Sequence, residues 1–163
     1  MIAPKLLAVV PLLSGAVFAA PAPAVGLTDA NGAPVLFKRG EGIHLMNCEY
    51  TGSVPSFASL VVYCANDGDC NNLSVVHPNS NVCTKSRSGT RSYHTWEGST
   101  QSCTFGSGIT FTWNIPSNAQ SLPNYNYVGT GSNGYNTYSG YKDDQHFGVQ
   151  YWDSKCRSIY YYI

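Results

Sequence analysis

The densest grouping of residues able to do chemistry is Arg91-Ser92-Tyr93-His94-Thr95-Trp96-Glu97, where a base, an acid and a cation fall within seven residues. General acid/base catalysis needs two titratable groups at one reacting centre, with a cation to stabilise developing charge. His146 offers a second imidazole further along the chain. Read as a strand, Arg91, Tyr93, Thr95 and Glu97 share one face while Ser92, His94 and Trp96 share the other, so His94 and Glu97 point apart unless a bulge intervenes. A hairpin strand with a half-exposed histidine is the simpler reading. No catalytic residue is assigned, and His94, Glu97, His146 and Arg91 stand as the candidate acid/base set.

Other side chains suggest binding. Asp67-Gly68-Asp69, followed by Asn71 and Asn72, and the pair Asp143-Asp144 are oxygen-rich clusters of the kind that hold Ca²⁺. Neither fits the spacing of a calcium loop, and Asp with Gly in a tight turn accounts for the first, so no metal or other cofactor is expected. Lys85, Arg87 and Arg91 form a basic run that reads as a solvated loop. Signatures for nucleotide binding, zinc proteases and serine hydrolases are absent. The stretch 124–141 packs Tyr125, Tyr127, Tyr135, Tyr138 and Tyr141 among Asn, Gly, Ser and Thr. Tyrosine combines a broad stacking face with a polar rim, which suits sugar rings and protein partners, and these five are the favoured ligand-binding residues. Asn72-Leu73-Ser74 is a glycosylation sequon.

The elements that position these residues are strands. Ile109, Phe111, Trp113 and Ile115 alternate with Thr110, Thr112 and Asn114, the period of a strand with one buried face, between Gly106-Ser107-Gly108 and Pro116. Residues 42–49, 57–64, 73–77, 92–97, 145–152 and 156–163 are further expected strands, and residues 117–122 a short turn of helix. No segment sustains a helical period. The fold class is therefore all-β, a small antiparallel β-sandwich or barrel. Cys48, Cys64, Cys70, Cys83, Cys103 and Cys156 are even in number and read as three disulfides, with their pairing left open.

Ahead of this body, residues 1–19 have one charge and an apolar run ending in small residues, as in a signal peptide cleaved after Ala19. Residues 20–39 are rich in Pro and Ala, lack cysteine and end in Lys38-Arg39, resembling a pro-segment with a Kex2-type dibasic site. What remains is one domain, residues 40–163, with six Lys/Arg against eight Asp/Glu. That balance gives no reason to expect nucleic acid as a partner. No stretch is long enough for a membrane anchor, and a secreted, extracellular monomer is expected.

Signal peptide, dibasic pro-segment and a small six-cysteine body resemble the fungal small secreted cysteine-rich proteins, a class that includes effectors and killer-type toxins. The resemblance implies a non-catalytic protein acting outside the cell on a host protein or a cell-wall glycan, and it transfers no site residue. A killer-type or antimicrobial toxin acting on membranes is an alternative within the same class. In size and composition the chain also resembles the small fungal ribonucleases, whose Tyr, His, Glu, Arg and second His perform acid/base work. That alternative, a small secreted hydrolase of ribonuclease or glycosidase type, would use His94, Glu97 and His146, and is the one reading that makes nucleic acid a partner.

Overall fold

The computed structural model describes residues 40–50, 52, 56–75, 77–151 and 154–163. The expected signal peptide, pro-segment and Lys38-Arg39 processing site lie outside the described residues.

Among the described residues nine strands follow one another: β1 (Gly42–Tyr50), β2 (Ser56–Cys64), β3 (Val82–Ser88), β4 (Thr100–Thr104), β5 (Thr110–Asn114), β6 (Tyr127–Ser132), β7 (Thr137–Lys142), β8 (Phe147–Tyr151) and β9 (Ser154–Tyr162). Short 3₁₀ turns cover Asp67–Asn71, Asn79–Asn81 and Ala119–Ser121. The last of these lies inside the helical turn expected at residues 117–122.

Every pairing is antiparallel, in the order β3-β2-β1-β9-β7-β6-β5-β4. β3 and β4 are the ends of that path, and the Cys83–Cys103 disulfide joins them. The fold is all-β, and the sheet nearly closes into a barrel. The other disulfides are Cys48–Cys156, between paired positions of β1 and β9, and Cys64–Cys70, which ties the 3₁₀ turn Asp67–Asn71 to the end of β2.

β9 changes neighbour along its length: Tyr160 to Tyr162 pair with β7, while Ser154 to Arg157 pair with β8. A bulge accompanies the change, because Leu45 opposes Tyr160 whereas Met46 opposes Ser158. The sheet consequently buries both faces around β1 and β2. Ile43, Leu45, Val61, Phe111, Trp113, Ile115, Tyr160 and Tyr162 fill the barrel. Met46, Cys48, Leu60, Val62, Cys64, Cys70, Val149 and Cys156 form a second core on the outer side. Near-continuous apolar runs in β1 and β2 follow from this double burial.

Five segments depart from the sequence-based expectation. Lys85 and Arg87, read as part of a solvated basic loop, lie on β3, and β4 is likewise a strand outside the expected set, because both gain their ladders from distant partners, β2 and β5. Residues 92–97 run outside the ladder, with the His94 amide donating to Ser59 Oγ and Trp96 buried in the barrel core. Within 73–77 the described residues form a turn and its flanks. The tyrosine-rich stretch contains two strands, β6 and β7. Their glycines are packing devices: a Cβ at Gly131 would overlap the Phe111 ring, and one at Gly140 the Tyr162 ring.

Candidate functional site

A cleft of about 330 Å³ opens at the end of the barrel where β1 begins. Its walls are Glu41, just ahead of β1, and Tyr63 on β2; Ser80 and Asn81 in the 3₁₀ turn; Phe105, Ser107 and Ile109 between β4 and β5; and Asn133, Tyr135 and Asn136 between β6 and β7. The β6–β7 turn is built by Asn133. Its side-chain oxygen accepts from the amides of Tyr135 at 3.0 Å and Asn136 at 2.7 Å, and its amide group donates to Tyr138 Oη at 2.9 Å. Gly134, at φ +85°, supplies the left-handed step that a side chain resists. The result is a fixed turn that holds Tyr135 outward with 82% of its surface exposed.

Glu41 provides the charge of the cleft. Its carboxylate accepts from Tyr138 Oη at 2.6 Å, Tyr63 Oη at 2.9 Å and the Asn136 side-chain amide. The Tyr138 hydroxyl, reinforced by Tyr63 and Asn136 and opposed by burial, holds Glu41 below the usual carboxylate range. Burial, with the Glu41 charge behind it, pushes the Tyr63 and Tyr138 hydroxyls up, so both remain donors at neutral pH. An ionised carboxylate of this kind accepts hydroxyl protons well and is a poor general acid. Among the described residues of the lining, Glu41 is the one carboxylate.

The five expected ligand-binding tyrosines are distributed over several places. Tyr135 lies in the cleft, and Tyr138 is buried beneath it with its hydroxyl on Glu41. Tyr127 and Tyr141 are paired across β6 and β7 on the outer face, their rings 6.1 Å apart and nearly perpendicular. Tyr141 stacks on Tyr161 at 5.4 Å, and Tyr161 lies 5.8 Å from the His44 ring. These rings are engaged with one another in a cross-strand ladder. Tyr125, at φ +66°, donates its hydroxyl to Asp144 Oδ2 at 2.8 Å.

The candidate acid/base residues do not meet in one cleft. His94 Nε2 bonds the Gln101 side chain, and its ring lies edge-on to Trp96 at 5.1 Å. Glu97 accepts from Tyr160 Oη at 2.6 Å and from Gln120 Nε2 at 2.7 Å. Arg91 pairs with Glu49. His146 lies on the opposite side of the sheet, its Nε2 on Asn71 Oδ1 at 2.8 Å, beside the disulfide-tied 3₁₀ turn.

His146 instead joins the acidic pair from the candidate metal ligands. Asp143, Asp144 and His146 each bring one ligand atom within 4.8 Å of the others, so these three could hold a metal ion. The histidine Nδ1 faces Asp143 Oδ1 at 3.0 Å and Asp144 Oδ1 closer still. The Asp143 hydrogen bond, against the effect of burial and with Asp144 adding to it, raises His146 to about 9. At neutral pH an imidazolium therefore bridges the two carboxylates in the place a cation would take. Asp67 lies elsewhere: His44 bonds Ser158 Oγ at 2.8 Å through Nδ1 and Asp67 Oδ1 at 3.0 Å through Nε2. Ser, His and Asp line up as in a nucleophilic triad, but they are 0%, 1% and 3% exposed, so no substrate reaches the serine. The set fastens the Asp67–Asn71 turn to the barrel. Asp69 offers its carbonyl to His77 Nε2 at 3.3 Å. Asn72 is exposed at the following bend, and its side chain accepts from the Ser74 amide.

Of the cleft lining, sequence reasoning named Tyr135 and the stretch that holds Asn133 and Asn136, and it missed Glu41, Tyr63, Ser80, Asn81, Phe105, Ser107 and Ile109. Asn133-Gly134, a hairpin turn signal, pointed to the β6–β7 turn. Glu41 reaches Tyr138 because β9 lies between β1 and β7, pairs with both and so brings the start of each to the same end of the barrel. No family model, curated protein or solved structure matches this chain.

Proposed function

We propose that the protein is a secreted, non-catalytic glycan-binding protein that engages a neutral cell-wall or host-surface sugar in the cleft at the mouth of the barrel. The observation carrying this reading is Tyr135. Its ring is open to solvent above a lining of amides, hydroxyls and one ionised carboxylate. A sugar ring offers an apolar face for stacking and hydroxyls for planar polar groups, and the cleft supplies both partners. The fixed Asn133–Asn136 turn means that little ordering remains to be done on binding. The Glu41 charge disfavours acidic sugars at this end. Three disulfides, and the absence among the described residues of a helix long and apolar enough to cross a membrane, fit an extracellular role.

The test is retention of the purified protein on insoluble chitin, β-glucan and cellulose, with soluble sugar assayed in the supernatant. The reading expects retention on at least one polymer without sugar release. Truncating a central aromatic contact typically costs ~2 kcal/mol, so Tyr135→Ala should weaken retention roughly thirty-fold. Sugar release, or retention indifferent to Tyr135, would overturn it.

A further inference from the structure

At the end of the barrel opposite the cleft, three cations share a neighbourhood with Glu49. Glu49 on β1 is the register partner of Lys155 on β9 and of Phe57 on β2, and Asn47, on the same face, is the partner of Arg157. Arg91 reaches Glu49 at 3.0 Å with its own side chain 70% exposed. Its guanidinium lies 5.8 Å from the centre of the Phe57 ring, and Tyr93 meets the same ring edge-on at 5.9 Å. The Arg157 guanidinium covers Phe147 at 3.9 Å. Tyr93 feels Glu49, Arg91 and Arg157 together, which puts them in one neighbourhood. Half of the six Lys/Arg of residues 40–163 therefore converge here. Lys85 and Lys142 lie elsewhere, on backbone carbonyls of Ser102, Gln120 and Leu122, while Arg157 donates one of its guanidinium N–H groups to Gln145 O at 3.2 Å and keeps its plane over Phe147.

We propose that this Arg91–Lys155–Arg157 face binds an anionic polysaccharide of the carboxylated, uronate class, as a second site independent of the cleft. A guanidinium offers paired donors that match a carboxylate, and Phe57 and Phe147 hold two of them by their planar faces. Lys155 and Arg157 are two residues apart on one strand face, a spacing of about 6.6 Å that presents repeated charge to an extended polymer. Phe57 is buried, and the Arg157 guanidinium lies over one face of Phe147, which stays 40% exposed, so what this end chiefly offers a ligand is charge held in place by rings. Glu41, just ahead of β1, and Glu49, near its far end, are eight residues apart, about 26 Å of extended chain, so the two ends can engage separate wall polymers at once and gain avidity.

The test is retention of the purified protein on immobilised polygalacturonate over a salt gradient. Binding at low salt that disappears at high salt is expected, with an Arg91→Ala, Lys155→Ala, Arg157→Ala variant weakened roughly tenfold or more. Glu49→Gln removes the carboxylate that pairs with Arg91 and should strengthen retention, an outcome that misfolding does not mimic. Tyr135→Ala should leave it unchanged, so failure of the cleft reading and failure of this one are distinguishable. No low-salt binding, equal retention of the triple variant, weakening by Glu49→Gln, or stronger binding to RNA or anionic vesicles would each overturn the proposal.

Discussion

Replacing Cys83 and Cys103 with alanine tests how the barrel is closed. No ladder pairs β3 with β4 among the described residues; the disulfide and a hydrogen bond from Lys85 Nζ to Ser102 O at 3.1 Å cross the seam, and the Ser107 amide donates to Ser80 O at 3.1 Å at its cleft end. The cysteines are 20 residues apart, and the chain-entropy relation gives about 3.3 kcal/mol at 25 °C for a loop of that length. For residues 40–163 an unfolding entropy of about 0.26 kcal/mol/K converts this into a fall in Tm of roughly 12 °C. The same relation gives about 4.8 kcal/mol for Cys48–Cys156, separated by 108 residues, and about 2.2 kcal/mol for Cys64–Cys70, separated by 6. Alanine is the right replacement because Cys103 is buried and a serine hydroxyl there would need a partner. The seam also bears on function: Ser80 and Asn81 lie just before β3, while Phe105 and Ile109 follow β4, so both lips of the cleft hang from it. Scanning calorimetry of the double variant, with glycan retention measured alongside, should show the lower Tm and weaker binding together. A Tm within a degree or two of the parent would refute closure by the disulfide, and a large Tm loss with unchanged binding would separate the seam from the cleft.

Further outcomes are specific. Gly131→Ala should cost about 1–3 kcal/mol in urea unfolding, because the new methyl group meets the Phe111 ring; an unchanged midpoint would contradict that packing. Phe111→Ala should cost about 3–5 kcal/mol, since the ring is fully buried among Trp113, Tyr138 and Tyr162. His146 is raised in the folded state to about 9, so its stabilising contribution is complete below its ordinary value near 6.5 and is lost as pH rises through about 9. Tm should accordingly fall over that range in the parent and fall less in His146→Asn. Glu41, held below the usual carboxylate range, contributes above its ordinary pKa and loses that contribution as pH falls through its folded value. Glu41→Gln should therefore flatten the acid limb of a Tm–pH profile.

Much of the fold could be read from residue order, and the failures share a cause. Phe111, Trp113 and Ile115 alternate because β5 has one wet face; Ile109 continues the pattern in sequence but lies beyond the strand end, exposed at the cleft lip. β6 and β7 carry no apolar period because their inward positions include Gly131 and Gly140, where Phe111 and Tyr162 fill the space from neighbouring strands. Residues 92–97 have strand composition but no strand partner, and partnership is a property of the whole sheet. The same applies to the sites. Tyr135 stood out as an aromatic among turn formers, whereas Glu41, ahead of the first strand, gains its role from hydrogen bonds spanning up to 97 residues of sequence. In sequence Asp143 and Asp144 suggest metal ligands and His146 an acid/base group. The local bend joins them into one ion-paired cluster.

The most direct measurement is an amide chemical-shift titration of the isotopically labelled protein with soluble chitin, β-glucan and cellulose oligosaccharides. The account predicts saturable shifts confined to Glu41, the Ser80–Asn81 turn, Ser107 to Ile109 and Asn133 to Asn136, and their loss in Tyr135→Ala. Shifts centred instead on the Tyr127–Tyr141–Tyr161 ladder or around His146, or no shifts with any of the three, would contradict it.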